Sequence, residues 1–160
     1  MQRVITITVQ DTSGVLNRVT GLLSRRGFNI DSITVGPTNT ENISKMTISV
    51  NVENEKNAEQ VIKQLNKQIY VLKVNDITEQ EIVVRELALI KVGTTPTTRN
   101  EIYGIINPFR AQILDVSKNS LTIETTGKPT KIDAMIDLLS PYGIKEVSRT
   151  GITAFPRGSR

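Results

Sequence analysis

From Arg3 to Gln10, apolar and polar residues alternate, placing Ile5, Ile7 and Val9 on one face. A period of two predicts a half-buried strand. The period then lengthens. Val15, Leu16, Val19, Leu22 and Leu23 recur at three- and four-residue spacing, which predicts an amphipathic helix over Val15 to Arg26. Asp11 or Ser13 is placed to cap its start, and Gly27 suits the left-handed position past its end. A second strand is expected over Ile30 to Val35, ended by Gly36-Pro37. The polar stretch Thr38 to Asn42 reads as a loop. Met46, Ile48, Val50 and Val52 alternate as a third strand. Asn54 then caps a helix whose apolar stripe is Ala58, Val61, Ile62 and Leu65, and Tyr70 to Val74 forms a fourth strand.

Residues 1–76 therefore spell β-α-β-β-α-β. Asn75 to Glu81 is short and polar, a linker, and the same order then recurs over 77–160. Glu86 to Val92 is a strand. Thr98 with Glu101 has the spacing of a capping box before the stripe Ile102, Ile105, Ile106. Pro108 ends that helix. Ala111 to Val116 and Leu121 to Thr126 are strands joined at Ser117-Lys118-Asn119. Pro129 fits the first position of a helix with stripe Ile132, Met135, Ile136, Leu139, and Ile144 to Ser148 is a further strand. The expected fold class is α+β, with two ferredoxin-like βαββαβ domains in tandem. Units of about 75 residues have marginal cores, and a sheet covered on one face leaves its other face and edges needing cover, so the two domains are expected to pack on each other, on a second copy, or both. The basic tail Arg149 to Arg160 has two readings, a last edge strand or a contact for a partner protein.

Charge and composition narrow the chemistry. The net charge of +4 divides evenly. Met1 to Asp76 holds 9 basic and 7 acidic residues, and Ile77 to Arg160 holds 11 and 9. No basic stripe marks a nucleic-acid face. The two strands that stack bases in RNA-binding units of this topology carry aromatics. Here they read "RVITITV" and "KMTISV" and carry none. The chain has no His and no Cys, so it lacks the commonest general base and any thiolate, and no metal site or catalytic residue is expected. "TTGKPTK" (Thr125 to Lys131) lacks the first glycine of a phosphate loop and reads as a helix start. No apolar run approaches the roughly 20 residues of a membrane span. The first residues open as a strand rather than a secretory segment, and a cytoplasmic setting, or the plastid stroma, is expected.

One stretch carries a ligand signal. In "DTSGVL" (Asp11 to Leu16) a strand ends in a carboxylate, a glycine follows, and a helix begins. A helix start offers free N–H groups and partial positive charge to an anion. Asp11 offers the opposite charge to an ammonium group. Together they suit a zwitterion, although Asp11, Ser13 and Gly14 equally serve a simple helix cap.

The same residues resemble a known family. "DTSGVLNRVTGLLSRRGFNIDSITV" is similar to the opening of an ACT domain, with Asp-x-x-Gly-x-Leu-x-x-Val followed by Arg-Gly-x-Asn-Ile. "SITVGPTNTENISKMTISV", "QLNKQIYVLKVNDI", "RELALIKV", "FRAQILDV" and "EVSRTGITAFPRG" resemble, in order and across essentially the whole chain, the regulatory small subunits of acetolactate synthase (acetohydroxyacid synthase). The resemblance implies a non-catalytic chain that pairs through its ACT domain (1–76) and associates with a large catalytic subunit. It also implies that the chain raises the large subunit's activity and confers feedback inhibition by valine, sometimes leucine or isoleucine, bound between two ACT domains of a dimer. Asp11, Ser13, Gly14, Val15 and Leu16 would come from one chain, and Asn29 and Ile30 from the facing one. Thiamine diphosphate, magnesium and FAD are implied for the large subunit and no cofactor for this chain. Many relatives carry Asn at the position of Asp11. Two other readings remain beside this one: a free-standing ACT amino-acid sensor, and a small enzyme, which the absence of His and Cys disfavours.

Overall fold

A computed structural model describes residues 1–158, in two compact units. Ser159 and Arg160, the end of the basic tail, lie outside the described residues. The first unit comprises Met1–Val83 with the described tail from Ile152, and the second Val84–Gly151.

In the first unit, β1 (Gln2–Gln10), α1 (Val15–Arg25), β2 (Asn29–Pro37), β3 (Ile43–Asn51), α2 (Glu55–Asn66) and β4 (Val71–Asp76) follow in order. The sheet order is β2-β3-β1-β4. The paired strands are antiparallel, and β1 sits in the interior of the sheet, between β3 and β4. One face presents Ile5, Ile7, Val9, Met46, Ile48 and Val50 to the helices, which close the core with Val15, Val19, Leu22, Leu23, Ala58, Val61 and Leu65. The expected alternation therefore marks the buried face. Two differences from the expected boundaries matter here. β2 continues through Gly36 to Pro37, because at the edge of the sheet a missing N–H costs no ladder bond. And the stretch Asn75 to Glu81 is no free linker. Ile77 is buried, its N–H donates to the Val4 carbonyl at 3.0 Å, and the Val4 N–H donates to Thr78 Oγ1 at 2.9 Å. Those bonds hold the segment to the first unit, so the division falls at Val83/Val84 and not after Asp76.

Arg3 adds a polar element to this core. It is 5% exposed, and its guanidinium bonds Glu55 at the start of α2 and lies 3.5 Å from both Asp76 and Glu79. A buried cation survives only where carboxylates surround it. Here they come from a helix start, a strand end and the turn beyond it.

The second unit repeats the plan with β5 (Ile82–Gly93), α3 (Thr98–Ile106), β6 (Gln112–Val116), β7 (Ser120–Gly127), α4 (Pro129–Leu139) and β8 (Ile144–Arg149), in sheet order β6-β7-β5-β8. Its core is Ala88, Ile90, Val92, Ile102, Ile106, Leu121, Ile123, Ile132, Met135 and Leu139. Pro129 begins α4 as expected. The capping box forms three residues earlier than the spacing suggested. Thr95 and Thr98 exchange bonds: Thr95 N–H donates to Thr98 Oγ1 at 2.8 Å and Thr98 N–H to Thr95 Oγ1 at 3.2 Å. Glu101 instead accepts the Tyr142 hydroxyl at 2.9 Å.

The tail forms β9 (Thr153–Pro156) within the first unit, and just beyond it the Arg157 N–H donates to the Glu81 carbonyl at 2.7 Å. Ile152 and Ala154 are buried, and Phe155 packs under the Lys45 ammonium, 6.0 Å from the ring centre. The structure thus has a strand in the tail, which favours the first of the two sequence readings.

Candidate functional site

The turn between β1 and α1 is held by backbone bonds alone. Gln10 N–H donates to the Tyr70 carbonyl (2.9 Å), Asp11 N–H to the Asn42 carbonyl (2.8 Å) and Thr12 N–H to the Gln10 carbonyl (2.9 Å). Gly14 then takes φ +85°, a left-handed conformation that L side chains rarely adopt, with open space where a Cβ would lie. It stands as the N-cap residue, and no side chain caps the helix. Asp11 and Ser13 are therefore not caps, contrary to that part of the sequence expectation. Val15 N–H reaches the Thr12 carbonyl at 3.4 Å, while the N–H groups of Leu16 and Asn17 find no acceptor among the described residues. The arrangement is a carboxylate beside an open helix start, with Asp11, Ser13 and Gly14 exposed, Leu16 46% exposed and Val15 turned into the core.

The other end of α1 closes as Gly27 predicts. Gly27 sits at φ +75°. Its N–H donates to the Ser24 carbonyl (3.0 Å), and Phe28 N–H to that of Leu23 (3.0 Å). This double clasp sets the chain into β2. Asn29 opens that strand, exposed, and Ile30 follows half-buried.

Strand register decides how these pieces relate. Asn29 pairs with Asn51, and Asn51 with Gln2, at one end of the sheet. Gln10 pairs with Ile43 at the other, and Asp11 lies just beyond it. Eight residue steps at about 3.3 Å separate the two ends by roughly 26 Å. Within one chain, Asp11 to Leu16 form one cluster and Asn29 and Ile30 another, and no amino acid spans both. β2, which carries the second cluster, is an edge strand.

The sequence reading missed Asp31. Its carboxylate accepts from Asn29 Nδ2 at 3.3 Å, from Asn51 Nδ2 at 3.3 and 3.2 Å on its two oxygens, and from Gln2 Nε2 at 3.4 Å. An irregularity between Ile30 and Ser32 places it there. The only sequence signal for it is the polar residue immediately following Asn29-Ile30. Among the described residues no three His, Cys, Asp or Glu side chains gather as metal ligands, and no helix is long and apolar enough to cross a membrane.

Comparison with known proteins places this geometry. The family model described as an AHAS small subunit-like ACT domain matches residues 5–73, and that described as the small subunit of acetolactate synthase matches residues 85–158. The acetolactate synthase small subunit of Bacillus subtilis (strain 168) is 60% identical over 160 residues, all of this chain and 93% of its own. The chain belongs to the acetolactate synthase small-subunit family. The small subunit of Mycolicibacterium smegmatis is 49% identical, across 98% of this chain and 91% of its own. The crystal structure of the Thermotoga maritima small subunit superposes with a TM-score of 0.91 at 38% identity, covering 100% of this chain and 99% of that one. Membership identifies residues 5–73 as an ACT domain and supports a regulatory role for the chain as a small subunit of acetolactate synthase.

Proposed function

We propose that this small subunit raises the activity of a large acetolactate synthase subunit and makes it inhibitable by valine, or by leucine or isoleucine. The effector binds where two ACT units meet. The observation that carries this reading is the separation of Asp11 from Asn29 on a sheet whose β2 edge is open. A second copy, related by a twofold axis and pairing along β2, carries its Asn29 end to the first chain's Asp11 end. Two equivalent sites then form, each from both chains.

Each group has a task in such a site. The effector carboxylate takes the N–H groups of Leu16 and Asn17, which no side chain caps. The ammonium pairs with Asp11, and the partner chain supplies Asn29. Leu16 lines the aliphatic part together with Ile30 of the partner chain, and Val15 backs it from the core. Asp11 strengthens the hold on ammonium relative to Asn in the same place, because a charge-assisted bond is stronger than a neutral one. The large subunit is the partner that carries thiamine diphosphate, magnesium and FAD. Effector binding alters how two ACT units pair, and that change is relayed to the large subunit. Such coupling is reciprocal: the large subunit must change effector affinity by the factor that the effector changes the association.

The test is calorimetry of the chain with valine, leucine and isoleucine, alone and with the large subunit, beside an Asp11→Ala variant. Binding heat that vanishes in the variant supports the site. Effector affinity identical with and without the large subunit removes the coupling.

A further inference from the structure

We propose a second small-molecule site, contained within one chain, that takes a short aliphatic carboxylate lacking an ammonium group. It is the cavity of about 240 Å³ between α1 and the turn from α2 into β4, bounded by Val15, Arg18, Val19 and Lys67–Val71. This volume lies below the roughly 300–1,000 Å³ of pockets for drug-sized ligands and suits a small molecule.

The lining specifies the chemistry. Val15, Val19 and Val71 supply an aliphatic wall. Two cations stand at the cavity, Arg18 and Lys67, and neither has a hydrogen-bond or ion-pair partner among the described residues. The Arg18 guanidinium lies 4.9 Å above the Tyr70 ring, which fixes its plane while leaving its N–H fork unused. No Asp or Glu lines the cavity. Two unpaired cations over an aliphatic wall favour a carboxylate with an apolar tail. With no acidic group to receive it, an ammonium would meet like charge, so an amino acid fits here less well than its deamino analogue.

The site is separate from the effector turn, although Val15 borders both. On a helix, successive residues turn about 100°, so Leu16 and Arg18 flank the buried stripe of Val15 and Val19 on opposite sides. Arg18 faces Tyr70 in the cavity, and Leu16 lies on the other flank.

Valine and 3-methylbutanoate share one carbon skeleton and differ by the ammonium, so they separate the two sites. The experiment follows amide NMR signals of the full chain during titration with 3-methylbutanoate, valine, acetate and the uncharged 3-methylbutanamide. The variants are Asp11→Ala, Arg18→Gln/Lys67→Gln and Arg18→Lys, each checked for a native spectrum. The expected result is that 3-methylbutanoate shifts Val15, Val19, Tyr70 and Val71. Its binding should weaken by about tenfold or more when both cations are removed. Arg18→Lys should retain most of it and Asp11→Ala all of it, with acetate and the amide weaker. The proposal is overturned if those signals do not move, if acetate or valine binds there equally well, or if removing both cations changes nothing. It is also overturned if the shifts centre on Asp11 to Leu16 and disappear in Asp11→Ala. That last variant keeps this failure apart from any failure of valine binding.

Discussion

Glu86 on β5 is 5% exposed and is clasped by Arg149 of β8, whose guanidinium also bonds Asp133 of α4 at 2.7 Å. Glu86 stands two residues before the core series Ala88, Ile90, Val92. Arg3 stands two residues before Ile5, Ile7, Val9. Arg149 pairs in register with Ala88, and Asp76 with Ile5. The two units therefore carry a buried charge at the same place in the fold with the signs exchanged. The hydrogen bond to Glu86 is the first cause that raises the Arg149 pKa, ahead of the bond to Asp133, so the guanidinium stays charged throughout the range in which the protein folds. Arg149→Met should strand the Glu86 carboxylate. Because the Arg149 side chain is one-third open to water, the expected loss is about 1–3 kcal/mol rather than the full cost of a buried unpaired charge. Adding Glu86→Leu should recover most of it. Urea denaturation of the two variants measures both, and no recovery in the double variant refutes the pairing argument.

The separation of Asp11 from Asn29, which lie at sheet ends roughly 26 Å apart, predicts complementation between chains. Asp11→Ala and Asn29→Ala should each abolish or strongly weaken valine binding alone. Mixed and reassociated, a heterodimer places both defects at one site and leaves the other intact. Calorimetry should then recover tight binding at up to one site per mixed dimer. Absence of recovery, with mixed dimers demonstrated by mass spectrometry, would rule out a site built from two chains.

Thr95, not Glu101, serves the start of α3. Thr95→Ala should lower stability by about 1 kcal/mol, as loss of an N-terminal cap does, and Glu101→Ala should cost less. Thermal melts of the two variants compared with the parent decide the matter. Equal losses would mean that Glu101 contributes to the cap after all.

Tyr142 gives a pH signature. Its hydrogen bond to Glu101 comes first among the causes that raise the phenol above its ordinary 10.0, followed by burial and the Glu101 charge. A raised value means that the folded protein holds the proton more tightly than the unfolded chain. The stabilisation is thus fully present below pH 10 and lost as pH climbs through the raised value. The denaturation midpoints of the parent and Tyr142→Phe should differ at pH 8 and converge above pH 10. A gap that stays constant to pH 11 would show that this proton contributes nothing.

Much of the architecture was legible because its determinants are local. A period of two in Ile5-x-Ile7-x-Val9 and a period near 3.6 in Val15, Val19, Leu22 and Leu23 each select one backbone and one buried face. Asn54 caps α2 by accepting from the Asn57 N–H at 3.0 Å, and Gly27 ends α1, both through bonds spanning a few residues. The helix starts were read less well. Ser, Thr and Asp are interchangeable in a spacing rule, and only the folded backbone shows which hydroxyl reaches which N–H. Hence Asp11 and Ser13 leave α1 uncapped, and the box at α3 begins at Thr95.

The sequence by itself determined the repeated βαββαβ order, the two cores, and the glycine turn between β1 and α1 at Asp11 to Leu16. Tertiary structure decided what register and long-range bonding control. Asp31 joins Asn29 and Asn51 only because β2 and β3 pair as they do. Ile77 and Thr78 tie the supposed linker to Val4, more than 70 positions away. Asp11 and Asn29, the two halves of the proposed effector site, lie at opposite ends of one sheet because of which strand is hydrogen-bonded to which. Local patterns carry no information about pairing partners, because a strand's alternation is the same whichever neighbour it takes.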